Sequence, residues 1–289
     1  MNYLASIKPP GETAFHVVEF DDQGTVERRW RPPAGRSWHR AVAGPDGRRL
    51  WWETKVGGTH EDVFSSPDAR LVIEDGVLTT VPMPSGWEAW GHPEWDADGA
   101  IVLAGKKAGA WAVAWAWAVA WRSPEGRWLD LAGITEPSVA ADGCLVGVGA
   151  DKRTVWIRAR TIPAPKGVDQ IFDPFVSPDG TRVVALARTG GLWGTPVGAT
   201  WSLIVADIAT GAWRTVVKVK PWLESVSAAR WIDNNTLVAS MLGWKDSQRW
   251  DAWRFDLTTG KRRRLITPGP ARDALGTIEY VAPATWVAS

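Results

Sequence analysis

Apolar and polar residues alternate with a period of two along most of this chain, and Gly, Pro, Asn and Asp collect between the alternating runs. That pattern predicts short strands joined by tight turns; helical periodicity is scarce. Several runs pair into expected hairpins. Trp201–Asp207 and Trp213–Val217 flank Ala209-Thr210-Gly211, and Trp253–Leu257 and Arg262–Ile266 flank Thr258-Thr259-Gly260. Leu71–Glu74 and Val77–Val81 flank Asp75-Gly76, a dipeptide that tight hairpins prefer.

A longer unit overlies this alternation. An apolar run, a Pro-Asp-Gly-type turn and a second apolar run recur as AVAGPDGRRLWWE around Asp46, PEWDADGAIVLAG around Asp98 and PSVAADGCLVGVG around Asp142. The unit returns as PFVSPDGTRVVALA around Asp179 and, degraded, as ARWIDNNTLVAS around Asp233. These aspartates are 52, 44, 37 and 54 residues apart. A period of roughly 40–50 residues with about four strands per unit predicts a β-propeller. Five blades fall at about 37–84, 87–132, 133–168, 170–220 and 222–267. Residues 14–30 read as two strands around Asp22-Gln23-Gly24, and residues 277–287 as two more. Shared between the chain ends, these would complete a sixth blade and leave no sheet edge open. The fold class expected is therefore all-β, a six-bladed propeller in one domain, residues 1–289, its ring closed by N- and C-terminal strands. Ser66-Pro67-Asp68 imitates the repeat and leaves a seventh blade open, but 22 residues from Asp46 is too short a step. It is placed between the second and third strands of the first blade.

The phrase Pro-x-(Phe/Val/Trp)-x-x-Asp-Gly followed by an apolar strand resembles the TolB-like, WD40-like propeller repeat over about five units. FVSPDGTRVVALA at 175–187 is the best copy, and the fifth unit departs by carrying Asp-Asn-Asn. The resemblance implies the propeller fold. It implies no one activity, because proteins with such repeats include periplasmic binding proteins, peptidase propeller domains and lyases. The repeated Asp and Gly read as structural: Asp can accept from its own backbone two residues on, and Gly tolerates positive φ.

Composition narrows the partners. Net charge is +1, against a basic nucleic-acid-binding face. Cys144 is the only cysteine, so no internal disulfide can form. No apolar run reaches the roughly 20 residues of a membrane helix, and MNYLASIKPPGETAF lacks a signal-peptide core. A cytoplasmic monomer, without nucleic acid or membrane, is the expectation. Trp is the outlier at 22 residues against 2 Tyr. Indole buries much apolar area yet wants a partner for its N–H, so some Trp should pack between blades and some should line open surface. In WAVAWAWAVAW at 111–121 bulky residues alternate with Ala, a strand or hairpin that could also serve as a docking edge.

Candidate chemistry follows from register. If the first strand of each blade lines the channel and the Asp-Gly turn closes its lower end, residues six or seven before the Asp reach the upper mouth. These are His39/Arg40, Gly91/His92, Thr135/Glu136, Phe172/Asp173 and Val226/Ser227. His39, His92, Glu136 and Asp173 could act as acid and base or hold a divalent metal, the one cofactor left open. The plainer alternative is that a polar residue before Pro caps its loop. Loops on the same face supply His60, Trp193, Trp244, Arg249 and Trp250, with Trp90 and Trp222 between blades. With Arg40 these form the candidate ligand-binding set, a mixture that suits a small molecule, glycan or peptide. His16, on an expected strand, reads as packed. No Gly-x-Ser-x-Gly nucleophile and no phosphate loop is present. A binding propeller is the leading expectation; a lyase, isomerase or cyclase using the His/Glu/Asp rim is the second.

Overall fold

The computed structural model describes residues 1–56, 69–83, 87–96, 98–107, 117–122, 128–131, 134–140, 142–157, 160–190, 199–219, 224–227, 229–243 and 250–285. The chain begins with β1 (Tyr3–Lys8), β2 (His16–Phe20) and β3 (Val26–Trp30). Next come β4 (Arg36–Ala43), β5 (Arg49–Lys55), β6 (Arg70–Glu74) and β7 (Leu78–Pro82), then β8 (Trp87–Trp95), β9 (Ile101–Lys107), β10 (Trp117–Arg122) and β11 (Trp128–Leu131). A third group is β12 (Ile134–Val139), β13 (Leu145–Gly149), β14 (Thr154–Ile157) and β15 (Arg160–Pro163). A fourth is β16 (Gln170–Val176), β17 (Arg182–Thr189), β18 (Thr200–Asp207) and β19 (Trp213–Lys218). The last is β20 (Glu224–Val226), β21 (Arg230–Asp233), β22 (Thr236–Gly243), β23 (Trp250–Asp256) and β24 (Arg262–Arg264), followed by the short helix α1 (Pro270–Leu275) and β25 (Thr277–Pro283).

Five sheets are each built from one such consecutive group, and a further sheet, in the order β25-β1-β2-β3, joins the two ends of the chain. All pairings are antiparallel, and the three hairpins expected from sequence form as β18–β19, β23–β24 and β6–β7. The fold is an all-β propeller. Its inner strands touch in sequence around an axis: β25 meets β4, β4 meets β8, β8 meets β12, β12 meets β16, β16 meets β21, and β21 meets β25.

The shared sheet corrects the sequence reading. The N-terminus supplies three strands rather than two, because Tyr3–Lys8 forms a strand buried almost throughout. The C-terminus supplies one strand in place of two. Residues 57–68, 111–116, 191–198 and 244–249 lie outside the described residues, so the Ser66-Pro67-Asp68 turn and the first half of the Trp/Ala run are not placed. The second half is β10, paired between β9 and β11.

Apolar side chains from neighbouring sheets interdigitate to make the core. Phe175, Leu203 and Val217 pack on Trp231, Leu237 and Phe255, and Tyr3, Phe20 and Val281 pack on Val238, Ala252 and Ile266. Much of the tryptophan goes here. Trp38, Trp51 and Trp52 are fully buried, and Trp38 and Trp51 meet at 5.1 Å with a 45° tilt. Each buried indole removes roughly 150–250 Å² from water, which makes these sheet interfaces strongly driven. The Trp38 N–H donates to Glu53 at 3.0 Å and that of Trp231 to the Phe175 carbonyl at 2.8 Å, so two of these indoles also tie elements together by hydrogen bonds. Three of the repeated turns are held as expected, with Asp142, Asp179 and Asp233 each accepting from a backbone N–H two residues on, whereas in the unit around Asp98 the acceptor is Asp96.

Candidate binding site in the channel

Every inner strand is interrupted partway along. In β4, His39 pairs with Trp52 and Val42 with Leu50, so Arg40 and Ala41 oppose Trp51 alone. In β8, Gly91, His92 and Pro93 oppose Leu103. Glu136 and Pro137 oppose Gly147 in β12, and Asp173 and Pro174 oppose Ala185 in β16. The pairing with β22 is interrupted between Val226 of β20 and Arg230 of β21, and Glu279 is the extra residue of β25 against β1. Proline explains three of these bulges, since it has no N–H for the ladder and is confined to edges and bulges. Extra residues bend a strand and re-aim side chains.

His39, Arg40, His92, Glu136 and Asp173 thus share one feature, a place at or beside a bulge of an inner strand. They sit within the strands, two or more residues past the start of each. Arg40 and Asp173 have φ of 57° and 46°, a left-handed backbone uncommon outside glycine. Their strands stand three sheets apart around the axis.

His39 is 2 % exposed and its Nδ1 lies 2.9 Å from Glu279 Oε2. An ionised carboxylate only accepts, so Nδ1 carries the hydrogen of this contact, and in a neutral ring Nε2 is the acceptor or ligating atom. The His39 ring also packs on Phe15, centroids 4.9 Å apart. Glu279 escaped the sequence reading because no Asp-Gly turn follows it to set the register. Trp90 and Trp250 belong to β8 and β23, and the Trp250 carbonyl accepts from Arg272 at 3.0 Å. His60, Trp193, Trp222, Trp244 and Arg249 lie outside the described residues.

Below the bulges lies a polar cluster that sequence reasoning also missed. Arg230 of β21 donates from Nε to the Tyr280 hydroxyl of β25 and from Nη2 to the Glu94 carboxylate of β8. Its guanidinium carbon lies 3.5 Å from the centroid of the Phe175 ring of β16, a cation–π contact. Burial pushes the Glu94 carboxyl above its usual range, against the pull of Arg230, and nearby Asp173 adds to the rise. Burial also pushes up the Tyr280 hydroxyl. For Arg230 burial acts the other way, but Glu94 and Tyr280 outweigh it and keep the guanidinium charged. The cavity at this level is about 90 Å³ and is lined from all six inner strands, by Val42, Glu94, Val139, Phe175, Arg230 and Ala282 among others. At about 30 Å³ per water it holds a few waters, well short of the roughly 300 Å³ at which ligand pockets begin. Among the described residues no group of three metal-ligating side chains comes together.

No protein-family model and no curated protein sequence matches the chain. Solved structures do. TolB from Acinetobacter baumannii aligns with a TM-score of 0.67 at 11% identity over 98% of this chain and 66% of its own. A putative TolB from Agrobacterium tumefaciens aligns with a TM-score of 0.59 at 11% identity over 98% and 97%. An oligogalacturonate lyase from Vibrio parahaemolyticus aligns with a TM-score of 0.53 at 11% identity over 88% and 72%. The chain therefore has the TolB-like β-propeller fold, and it spans just under two thirds of the Acinetobacter protein. The same architecture serves TolB proteins and a lyase, so fold leaves the activity to the site.

Proposed function

We propose that the chain is a single-domain binding propeller of six blades. Its belt of inner-strand bulges takes a small molecule, glycan or peptide that enters from the face opposite the Asp-Gly turns. The observation that carries this reading is the recurrence of an interruption with a polar residue in every inner strand, two of them in left-handed backbone. Such strain costs about 1–3 kcal/mol per residue and collects at ligand clamps and active sites. The Arg230–Glu94–Tyr280 cluster supports entry from that face, because it links three inner strands beneath the belt. Calorimetry against a panel of metabolites, oligosaccharides and short peptides tests the proposal. At least one saturable ligand is expected, with weaker binding in His39→Phe and Glu279→Gln. A panel without response, together with unchanged Trp fluorescence, would overturn it.

One observation favours an enzyme as the second reading. A histidine fixed through Nδ1 to a carboxylate presents Nε2 as a general base or metal ligand. Metal analysis of the purified protein separates the readings. Stoichiometric metal that is lost in His39→Ala supports the metal-dependent enzyme, whereas ligand binding by metal-free protein supports the binding propeller.

A further inference from the structure

A second cleft opens on the same face as the channel entrance, between the β1–β2 loop and the segment leading into β4. Its volume is about 470 Å³, inside the roughly 300–1,000 Å³ typical of small-molecule sites. Glu12, His16 and Arg31 line it, with Pro32, Pro33 and Val56 as its apolar wall.

His16 Nε2 lies 2.8 Å from Glu12 Oε2, while its Nδ1 is buried without a partner. A second ring proton would bury an N–H donor with no acceptor, which costs more than a vacant lone pair. Burial accordingly lowers the pKa of His16, although Glu12 opposes the shift. The ring is neutral at pH 7 and donates from Nε2. It holds one oxygen of Glu12, a carboxylate with 42% of its side chain exposed.

The cations of the cleft differ in commitment. Arg36 is held by Glu53 at 3.0 Å. Arg31 is exposed, and among the described residues it has no ion-pair partner. The cleft therefore offers one positioned anion, one uncommitted guanidinium and an apolar wall. We propose that it is a second binding site, for a small zwitterion of the amino-acid or dipeptide class, with the ligand ammonium on Glu12 and its carboxylate on Arg31.

The test titrates the full chain with Gly-Leu, N-acetyl-Gly-Leu and Gly-Leu amide by calorimetry. Saturable binding of Gly-Leu is expected, weakened roughly tenfold or more by either cap, as befits the loss of a charge-assisted hydrogen bond. Glu12→Gln should abolish the effect of the acetyl cap and Arg31→Gln that of the amide. Both residues are at the surface, so circular dichroism should stay unchanged; Arg31→Lys, which keeps the charge, should retain part of the affinity. His39→Phe should leave this binding intact, which separates it from the channel. No saturable binding of Gly-Leu, or equal affinity for the capped peptides, would overturn the proposal.

Discussion

The floor of the channel and the bulge belt above it are built from the same inner strands, and both bring charge inside. In the floor Arg230, Glu94 and Tyr280, each the first paired residue after the interruption of its strand, bond to one another across three sheets. In the belt the ladders break, the backbone turns left-handed at Arg40 and Asp173, and the polar residues come from every inner strand. Buried charge that is internally paired specifies how strands assemble; in the function proposed above, polar residues held on distorted backbone serve a ligand. His39 and Glu279 belong to the belt and also pair with each other.

The largest test of this contrast is Arg230→Met, which leaves Glu94 buried without its cation. A loss of about 3–5 kcal/mol is expected, the usual cost of removing one partner of a buried pair. The midpoint of urea unfolding would show it, and adding Glu94→Gln should restore part of the loss. A shift under about 1 kcal/mol would mean that the floor does not hold the ring together. The opposite sign is expected in the belt. Arg40→Gly relieves a left-handed φ and should stabilise the fold by about 1 kcal/mol while weakening ligand binding in the channel. Thermal unfolding checks the first effect and calorimetry the second; a less stable variant would show that Arg40 contributes to packing instead.

The smallest effect is a slope. His16 has a folded pKa below its unfolded value, so in the window between them the unfolded chain holds more protons. Stability should fall as pH drops from about 6.5 through that window, and His16→Gln should flatten the trend. A second slope lies lower. Hydrogen bonds from Ser177 and Thr181 hold the Asp179 carboxyl below its usual range despite burial, and Asp151 is held likewise by Thr154 and Arg153. Their contribution is complete above the unfolded value near pH 4 and disappears as pH falls through the folded one. Unfolding midpoints measured at successive pH values check both slopes.

The architecture was legible because each blade repeats its own punctuation. Asp98, Asp142, Asp179 and Asp233 mark where an inner strand ends, and counting back from them reached the bulges at His92, Glu136 and Asp173. Where the punctuation stops, so does the reading. Glu279 precedes no Asp-Gly turn, and Tyr3–Lys8 is a short buried strand with no flanking signal. Glu94 and Arg230 carry no local mark of their partnership, because only the closing of the ring brings residues 136 positions apart into contact. The cleft at Glu12 is made by two loops whose juxtaposition no periodicity encodes.

The sheet shared by the chain ends has a consequence for synthesis. β1 pairs on one side with β2, its neighbour in sequence, but on the other with β25, made only after all five consecutive groups of strands. Until then its second edge stands bare beside a nearly complete barrel of blades. Such a delayed, distant pairing slows folding and invites strands of other molecules to take the vacant place. A nascent chain would be most exposed to misassembly in the interval just before β25 emerges.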